Sequence, residues 1–384
     1  MSLDNSIALV RETIAFAKLE SAWGVLAMPA AADALSPLAV PTATQPESFT
    51  PSAEITGSRS LISRFRDKTP AGSWSLSFYP RPAGSAGAKP AEAAILKAAL
   101  GAETVNAGTS VVYAPALELP SFSLCFREGH SVRFVTGCVV ENLALSLEAK
   151  GALRMEASGK FKQALLAGSE ETVTGSTTTV INLAAGGAKL FDAGAWVQVG
   201  GDDHTGQGYL ITSVDQGADT ITLDTALSGA PAAGVLVKGF LPAPSLTGAP
   251  VQSQTGTLTL AGAQLLITSG TVTVANSIKM VEEEVSGESY PTGFSAGPRS
   301  VTGQLKCFFR RTYANLFRSA RSQDQAALVL AAGDGAGQRL SVSLAKAVVD
   351  TPELSGEEFQ RELSVAVTGL ASAGGEDEIS LTYN

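Results

Sequence analysis

The run Asn142-Leu143-Ala144-Leu145-Ser146-Leu147-Glu148, followed beyond Gly151 by Leu153-Arg154-Met155-Glu156-Ala157-Ser158, carries the pattern that decides the fold. Successive side chains of a β-strand point to opposite faces. Leu143, Leu145 and Leu147 therefore share one side, and Asn142, Ser146 and Glu148 the other. In the second run Leu153, Met155 and Ala157 alternate with Arg154, Glu156 and Ser158, and Lys160 extends the polar series. Each run reads as a strand with one buried and one wet face.

The pattern continues outward in both directions. Runs over 121–128, 131–136, 139–149 and 152–162, with glycine turns at Gly129, Gly137 and Gly151, have the spacing of a meander. Upstream, Trp74, Leu76 and Phe78 alternate with Ser73, Ser75 and Ser77. Residues 90–100 read as a helix: Pro90 suits the first position, Ile95, Leu96, Ala99 and Leu100 form one stripe, and Gly101 suits the position after the end. Downstream, strands are expected over 256–267, 271–280, 301–309, 340–349, 363–369 and 379–383. A second helix is expected around Tyr313, Leu316, Phe317 and Ala320. The opening residues 6–24 fit a helix through Ile7, Val10, Ile14 and Ala17, and a strand through Ile14 and Phe16. Residues 27–45, with Pro29, Pro37 and Pro41, read as an extended arm or loop. In 50–72, Arg59, Arg64, Arg66 and Lys68 surround Leu61, Ile62 and Phe65. That composition suits either a nucleic-acid contact or, more economically, a hairpin arm reaching an acidic neighbouring subunit.

Residues 168–242 change character, becoming rich in Thr, Gly, Asp and Val with short runs at Val197 and Val199, Tyr209 and Ile211, and Ile221 and Leu223. They read as a small β-barrel inserted into a discontinuous parent domain formed by 1–167 and 243–384. The expected fold class is mainly β: a β-sandwich flanked by an α-helix, with the inserted barrel.

Composition narrows the function. The chain has 384 residues, 45% of them hydrophobic and 16% charged, a balance that folds or assembles. Thirty-six acidic against 27 basic residues give a net charge of −9, the wrong sign for a protein that grips nucleic acid through its phosphates. Cys125, Cys138 and Cys307 cannot all pair and form no metal spacing, which points to folding in a reduced compartment. Neither a signal-peptide pattern nor an apolar run long enough to insert in a membrane occurs.

Catalysis lacks its usual materials. His130 sits in Glu128-Gly129-His130, which reads as a hairpin turn, and His204 in the polar loop Gly201-Asp202-Asp203-His204-Thr205-Gly206. That loop offers oxygen and nitrogen donors but not the spaced carboxylates of a calcium site or the further ligands of zinc. No nucleophile elbow or phosphate loop is present. Glu282-Glu283-Glu284 reads as a solvated loop. No catalytic residue, cofactor or metal site is expected.

Three stretches resemble the tail tube, or major tail, protein family of long-tailed bacteriophages: Leu19-Glu20-Ser21-Ala22-Trp23-Gly24; the strand, loop and strand from Asn276-Ser277-Ile278 through Ser289-Tyr290-Pro291-Thr292-Gly293 to Arg299-Ser300-Val301-Thr302-Gly303-Gln304-Leu305; and the ending 340–384 with Asp350-Thr351-Pro352 and Ile379-Ser380-Leu381-Thr382-Tyr383-Asn384. The resemblance covers most of 10–165 and 243–384. It implies a β-sandwich subunit, six copies to a ring, and rings stacked into a hollow tube for the tape measure protein and then DNA. It also implies a tail terminator as partner, a place in the virion tail and assembly in the bacterial host cytoplasm. Residues 168–241 depart from a minimal subunit and are expected on the outside.

On that reading Asn142, Ser146, Glu148, Arg154, Glu156, Ser158 and Lys160 are candidates to face the lumen. Arg59, Arg64, Phe65, Arg66 and Lys68 are candidates for an inter-ring arm, and Trp196, Asp202, Asp203, His204 and Tyr209 for an outer binding surface. The alternative is a β-rich adhesin or carbohydrate-binding module acting through that last group.

Overall fold

The computed structural model describes residues 10–55, 57, 59–356, 360–372 and 374–384. The part of the opening reading that rests on residues 6–9 lies outside them. The described part resolves the ambiguity: a short 3-10 turn at Val10–Glu12 leads into a strand, Ala15–Leu19.

The architecture follows from one long strand. Ser131–Glu148 runs unbroken for 18 residues, so Gly137 is not the turn its sequence position suggests. It is a bulge with φ +67°, at which a Cβ would lie 2.7 Å from the Cβ of Lys162. A bulge rotates the strand and re-aims its pairing. Before it, the strand pairs with Phe122–Glu128 and Gln163–Ala167; after it, with Arg154–Phe161 and Ile267–Val281. The chain thereby passes from one sheet into another.

The bulge leaves a backbone N–H to satisfy, and Glu20 does so. Its Oε1 accepts from Gly137 N (2.7 Å) and Ser123 Oγ (2.8 Å), and its Oε2 from Gly24 N (2.8 Å) and Ser121 Oγ (2.7 Å). Lys162 lies over the Trp23 ring, 4.9 Å from its centroid. The Leu19–Gly24 stretch is thus the lock on the sheet-switching strand.

The large sheet beyond the bulge runs, in spatial order, Thr42–Thr44, Gly72–Phe78, Arg154–Phe161, Ser131–Glu148, Ile267–Val281, Gly293–Phe308 and Arg361–Leu370, every pair antiparallel. Thr42–Thr44 belongs to the stretch read as a free arm. It is instead stitched to the sheet: Pro37 bridges to Phe78, and the Gln45 amide bonds the carbonyls of Pro70 and Lys162. Prolines are tolerated there because the strand sits at an edge.

Beneath this sheet lies the main core, including Trp74, Leu76, Leu145, Met155, Val274 and Val365. The Ala93–Leu100 helix sends Ile95, Leu96, Ala98, Ala99 and Leu100 wholly into it and ends at Gly101 with φ +102°. Strands Leu340–Val349, Ser380–Tyr383, Ser110–Pro115 and Gln325–Ala332 complete the enclosure. The second helix, Asn315–Ser322, buries Leu316 and Ala320.

The other sheet, Ala34–Leu35, Ala15–Leu19, Phe122–Glu128, the first half of Ser131–Glu148 and Gln163–Ala167, has apolar residues on both faces. Ala15, Ala17, Leu124 and Phe126 enter the main core. Phe16, Cys125, Phe134 and Leu165 enter a second core together with Ile181, Val197, Tyr209, Ile211 and Val237. The latter five belong to a closed barrel of six strands between Glu171 and Gly239. The barrel therefore shares a continuous apolar interior with the sheet on which it sits.

Candidate functional site

The outward face of the large sheet is a single polar surface. Cross-strand register places Asn142 opposite Ser158 and Ser146 opposite Arg154 on one side, and opposite Ala275 and Thr271 on the other. Rows continue through Ser75, Ser77, Thr302 and Gln304 to Thr368 and Ala366. Asn142, Ser146, Glu148, Arg154, Glu156, Ser158 and Lys160 all stand on this face, each exposed or half-buried. The face is mostly hydroxyl. Thr42 and Ser75 hydroxyls lie 2.8 Å apart.

Its charges are balanced and partly paired. Arg154 Nη2 is 2.6 Å from Glu156 Oε1, and Lys160 Nζ is 3.7 Å from Glu141 Oε1. Glu148, Lys279, Lys306 and Glu362 also stand along these rows, giving four cations and four carboxylates with the two pairs above. Exposed pairs of this kind stabilise the fold little. Their consequence is electrostatic: cation and carboxylate cancel locally, and no positive stripe forms.

At one end of this sheet a hairpin projects. Phe49–Pro51 pairs with Arg64–Arg66 in an isolated two-stranded ribbon. Ile55, Leu61, Ile62 and Phe65 on it are 58–99% exposed. Arg59, Arg64 and Arg66 are also exposed, with the Arg64 guanidinium 4.2 Å from the Phe49 ring centroid. Asp67 closes the base by accepting from Ser48 Oγ (3.0 Å) and Thr50 Oγ1 (2.9 Å). Lys68 anchors the arm rather than extending it, donating to the Glu284 carbonyl at 3.1 Å. An apolar, cationic ribbon whose Ile55, Leu61, Ile62 and Phe65 are left exposed by the described residues is suited to a neighbour.

Comparison with known proteins bears on what such a surface is for. The family model described as phage tail tube protein matches residues 10–199 and 203–384. The chain belongs to the phage tail tube protein family. It is a structural subunit of a phage tail tube, a component of the virion tail and a self-associating protein. The matched residues of this tail tube protein run through most of the small barrel as well as the large sheet. Comparison with curated proteins gave no match. Among solved structures, one described as "Crystal structure of Hcp protein" aligns at 14% identity over 24% of this chain and 61% of that chain, with a TM-score of 0.17, a likeness that carries no argument.

The loop at 201–206 of the tail tube protein is built to hold itself. Asp202 Oδ2 accepts from Ser228 Oγ (2.7 Å) and N (3.0 Å), while Oδ1 accepts from Tyr209 OH (2.7 Å) and His204 N (3.2 Å). These bonds, those from Ser228 first, hold its carboxyl far below the usual carboxylate range. Tyr209 is 2% exposed, so it belongs to the barrel core and not to an outer binding surface. The tyrosine opens the strand Tyr209–Asp215 beside Leu210 and Ile211, and its phenol needed a partner once buried. His204 stacks on it at 5.0 Å. Trp196 is half-buried, and Asp203 is spent on capping Gly206 N at 3.0 Å. Among the described residues, no group of three or more His, Cys, Asp or Glu side chains is arranged to hold a metal ion.

Besides the half-buried Glu20, the roles of three polar groups escaped the sequence reading: buried Asn276 and Glu92 and half-buried Arg299. Asn276 Nδ2 donates to the carbonyls of Ala99 (2.9 Å) and Val140 (3.1 Å), and its Oδ1 accepts from Arg299 Nε (3.1 Å). Arg299 reaches on to Glu376, Glu378 and the Ala116 carbonyl. Glu92, wholly enclosed beside the helix, accepts from Tyr383 OH (2.6 Å) and Arg81 N (2.9 Å). Burial pushes its carboxyl up to about 7. These groups join distant segments, and local periodicity carries no signal for that.

Proposed function

We propose that six copies of this tail tube protein close into a ring, and that rings stack into a conduit lined by the polar face of the large sheet. The tape measure protein occupies the bore during assembly, double-stranded DNA crosses it at genome delivery, and a tail terminator ends the stack. The observation that carries the reading is the continuous hydroxyl-rich face over seven strands, backed throughout by core. It resembles the wall of a water-filled channel more than the surface of a free globule.

Duplex DNA carries about one charge per 1.7 Å of axis. A lining whose arginines and lysines are offset by Glu141, Glu148, Glu156 and Glu362 offers such a cargo no strong hold. The order of the layers supports an assignment of the outer side. From the polar face one meets the main core, then the sheet with Phe16 and Phe134 on its far side, then the barrel. A subunit with that face toward the bore carries its barrel outward, and the Phe49–Arg66 ribbon leaves at one end, where the next ring would lie. Three buried free cysteines accord with assembly in the reducing cytoplasm of a bacterial host.

Negative-stain electron microscopy of the purified full chain across a concentration series tests the proposal. Six-fold rings and hollow tubes are expected. A uniform monomer at every concentration contradicts it.

A further inference from the structure

The strands Ile267–Val281 and Gly293–Phe308 form one long hairpin within the large sheet. At ~3.3 Å per residue its two ends lie roughly 46 Å apart. They differ in chemistry. The tip, between Val281 and Gly293, carries Glu282, Glu283, Glu284 and Glu288 around Val285, which is fully exposed. The base continues into Arg310 and Arg311, then the Asn315–Ser322 helix with Arg318 and Arg321, and all four arginines are exposed. Among the described residues none of these arginines makes an ion pair, and neither do Glu283 and Glu288. Glu148, Asp324, Glu353 and Glu362 are acids near the base, and Lys68, Lys160 and Lys279 are cations near the tip.

The base also holds a cleft of 630 Å³ with Leu260, Leu265, Tyr313 and Leu316 in its lining and Arg318 and Asp324 at its polar part. Its walls are fixed: Tyr313 OH accepts from Leu266 N at 2.9 Å, tying the helical segment to the start of the hairpin. The tip is fixed too. Ala71 N donates to Glu282 Oε1 (2.7 Å), Thr69 N to the Ser289 carbonyl (2.8 Å) and Thr292 Oγ1 to Glu284 Oε2 (2.8 Å). An acidic projection with an apolar centre stands at one end, and at the other an apolar recess lined by Arg318, with the exposed Arg310, Arg311 and Arg321 on the segments that carry its wall.

We infer that the 282–288 tip of one copy docks in the apolar cleft at the hairpin base of a second copy, beside the four exposed arginines of that base. The inference rests on the tube reading and specifies its stacking contact. Tip and base are different surfaces, so the contact is heterologous. Repeated along the hairpin it does not close on itself, which is the condition for a filament. Complementary charge fixes the direction of stacking and opposes tip-to-tip and base-to-base encounters. The neighbouring ribbon leaves from the tip end, and Val285 supplies the apolar contact that the carboxylates steer into place.

Two charge reversals in the full chain test this: Glu283→Arg with Glu288→Arg at the tip, and Arg310→Glu with Arg311→Glu at the base. Each pair is expected to raise the concentration needed for tubes at least tenfold while leaving rings intact in sedimentation and micrographs. All four changes together are expected to restore tubes. Tubes unaffected by either pair, or not restored by the combination, would overturn the docking while leaving the tube reading in place. Unaltered protein that never forms rings would overturn both. As a control against misfolding, Glu283→Cys with Arg311→Cys is oxidised in assembled tubes. A ladder of covalent multimers is expected, and monomer alone counts against the contact.

Discussion

Strands Val180–Leu183 and Thr220–Leu223 of the barrel share one rule with Arg154–Phe161 and Ile267–Val281 of the large sheet. Apolar side chains point inward, and Thr, Ser, Asn or charged residues point outward. The barrel closes its six strands on one another and leaves no edge. The large sheet stops at Thr42–Thr44, bonded on one side to Gly72–Phe78 and, among the described residues, to no strand on the other. Alternation therefore encodes which face is wet but not whether a sheet completes itself. A bare edge invites pairing with another chain. In the proposed ring that edge is open to a neighbouring copy, and its three-residue length limits pairing to a partner presented in the right place.

The comparison breaks most visibly if the barrel is removed. A variant lacking 170–240 leaves Phe16, Cys125, Phe134 and Leu165 uncovered, and is expected to be lost from the soluble fraction or to aggregate on size exclusion. A monodisperse product with unchanged melting would mean that the second core belongs to the barrel alone.

A smaller effect sharpens the role of the main core. Glu92 has a folded pKa of about 7 against 4.5 for the unperturbed group. A raised carboxyl pKa means that its contribution is fully present below 4.5 and is lost as pH rises through 7. The change amounts to about 3 kcal/mol. Urea unfolding of Glu92→Gln, which keeps an acceptor for Tyr383 and Arg81, is expected to show a flatter dependence between pH 5 and 8 than the unaltered chain. Parallel profiles would contradict the burial argument.

Smallest is Asp202→Ala. It orphans the Tyr209 phenol and frees the Ser228 turn, at a cost of about 2 kcal/mol. Faster hydrogen exchange is expected in Trp196–Val199 and Tyr209–Asp215, with protection in Ile267–Val281 unchanged. Because hydrogen bonds to its ionised form hold the Asp202 carboxyl low, its stabilisation is present above pH 4 and fades in strong acid. Equal loss of protection in both regions would show that the shared core transmits the damage.

The face assignments were legible because the pleat imposes a period of two: Leu143, Leu145 and Leu147, or Trp74, Leu76 and Phe78, need no partner to be read. What failed was pairing. A positive-φ glycine serves a turn or a bulge equally, so Gly137 gave no local sign of which. The 27–45 stretch looked free because its strand is short and its anchors, Ser75 and Lys162, are remote in sequence. Tyr209 was read as surface because the Asp202 bond that lets a phenol be buried spans a loop. Of the candidate site, the polar row from Asn142 to Lys160 was visible; its extension through Thr271, Thr302 and Gln304 depended on register.

Cysteine labelling of assembled tubes addresses the central claim most directly, since the three native thiols are buried. Thr302→Cys, on the polar face, is expected to react with a small maleimide but to exclude a bulky polyethylene-glycol maleimide once tubes form. Lys189→Cys, on the barrel, is expected to take both before and after assembly. Equal labelling of Thr302→Cys by the bulky reagent in intact tubes would contradict a lumen lined by this sheet.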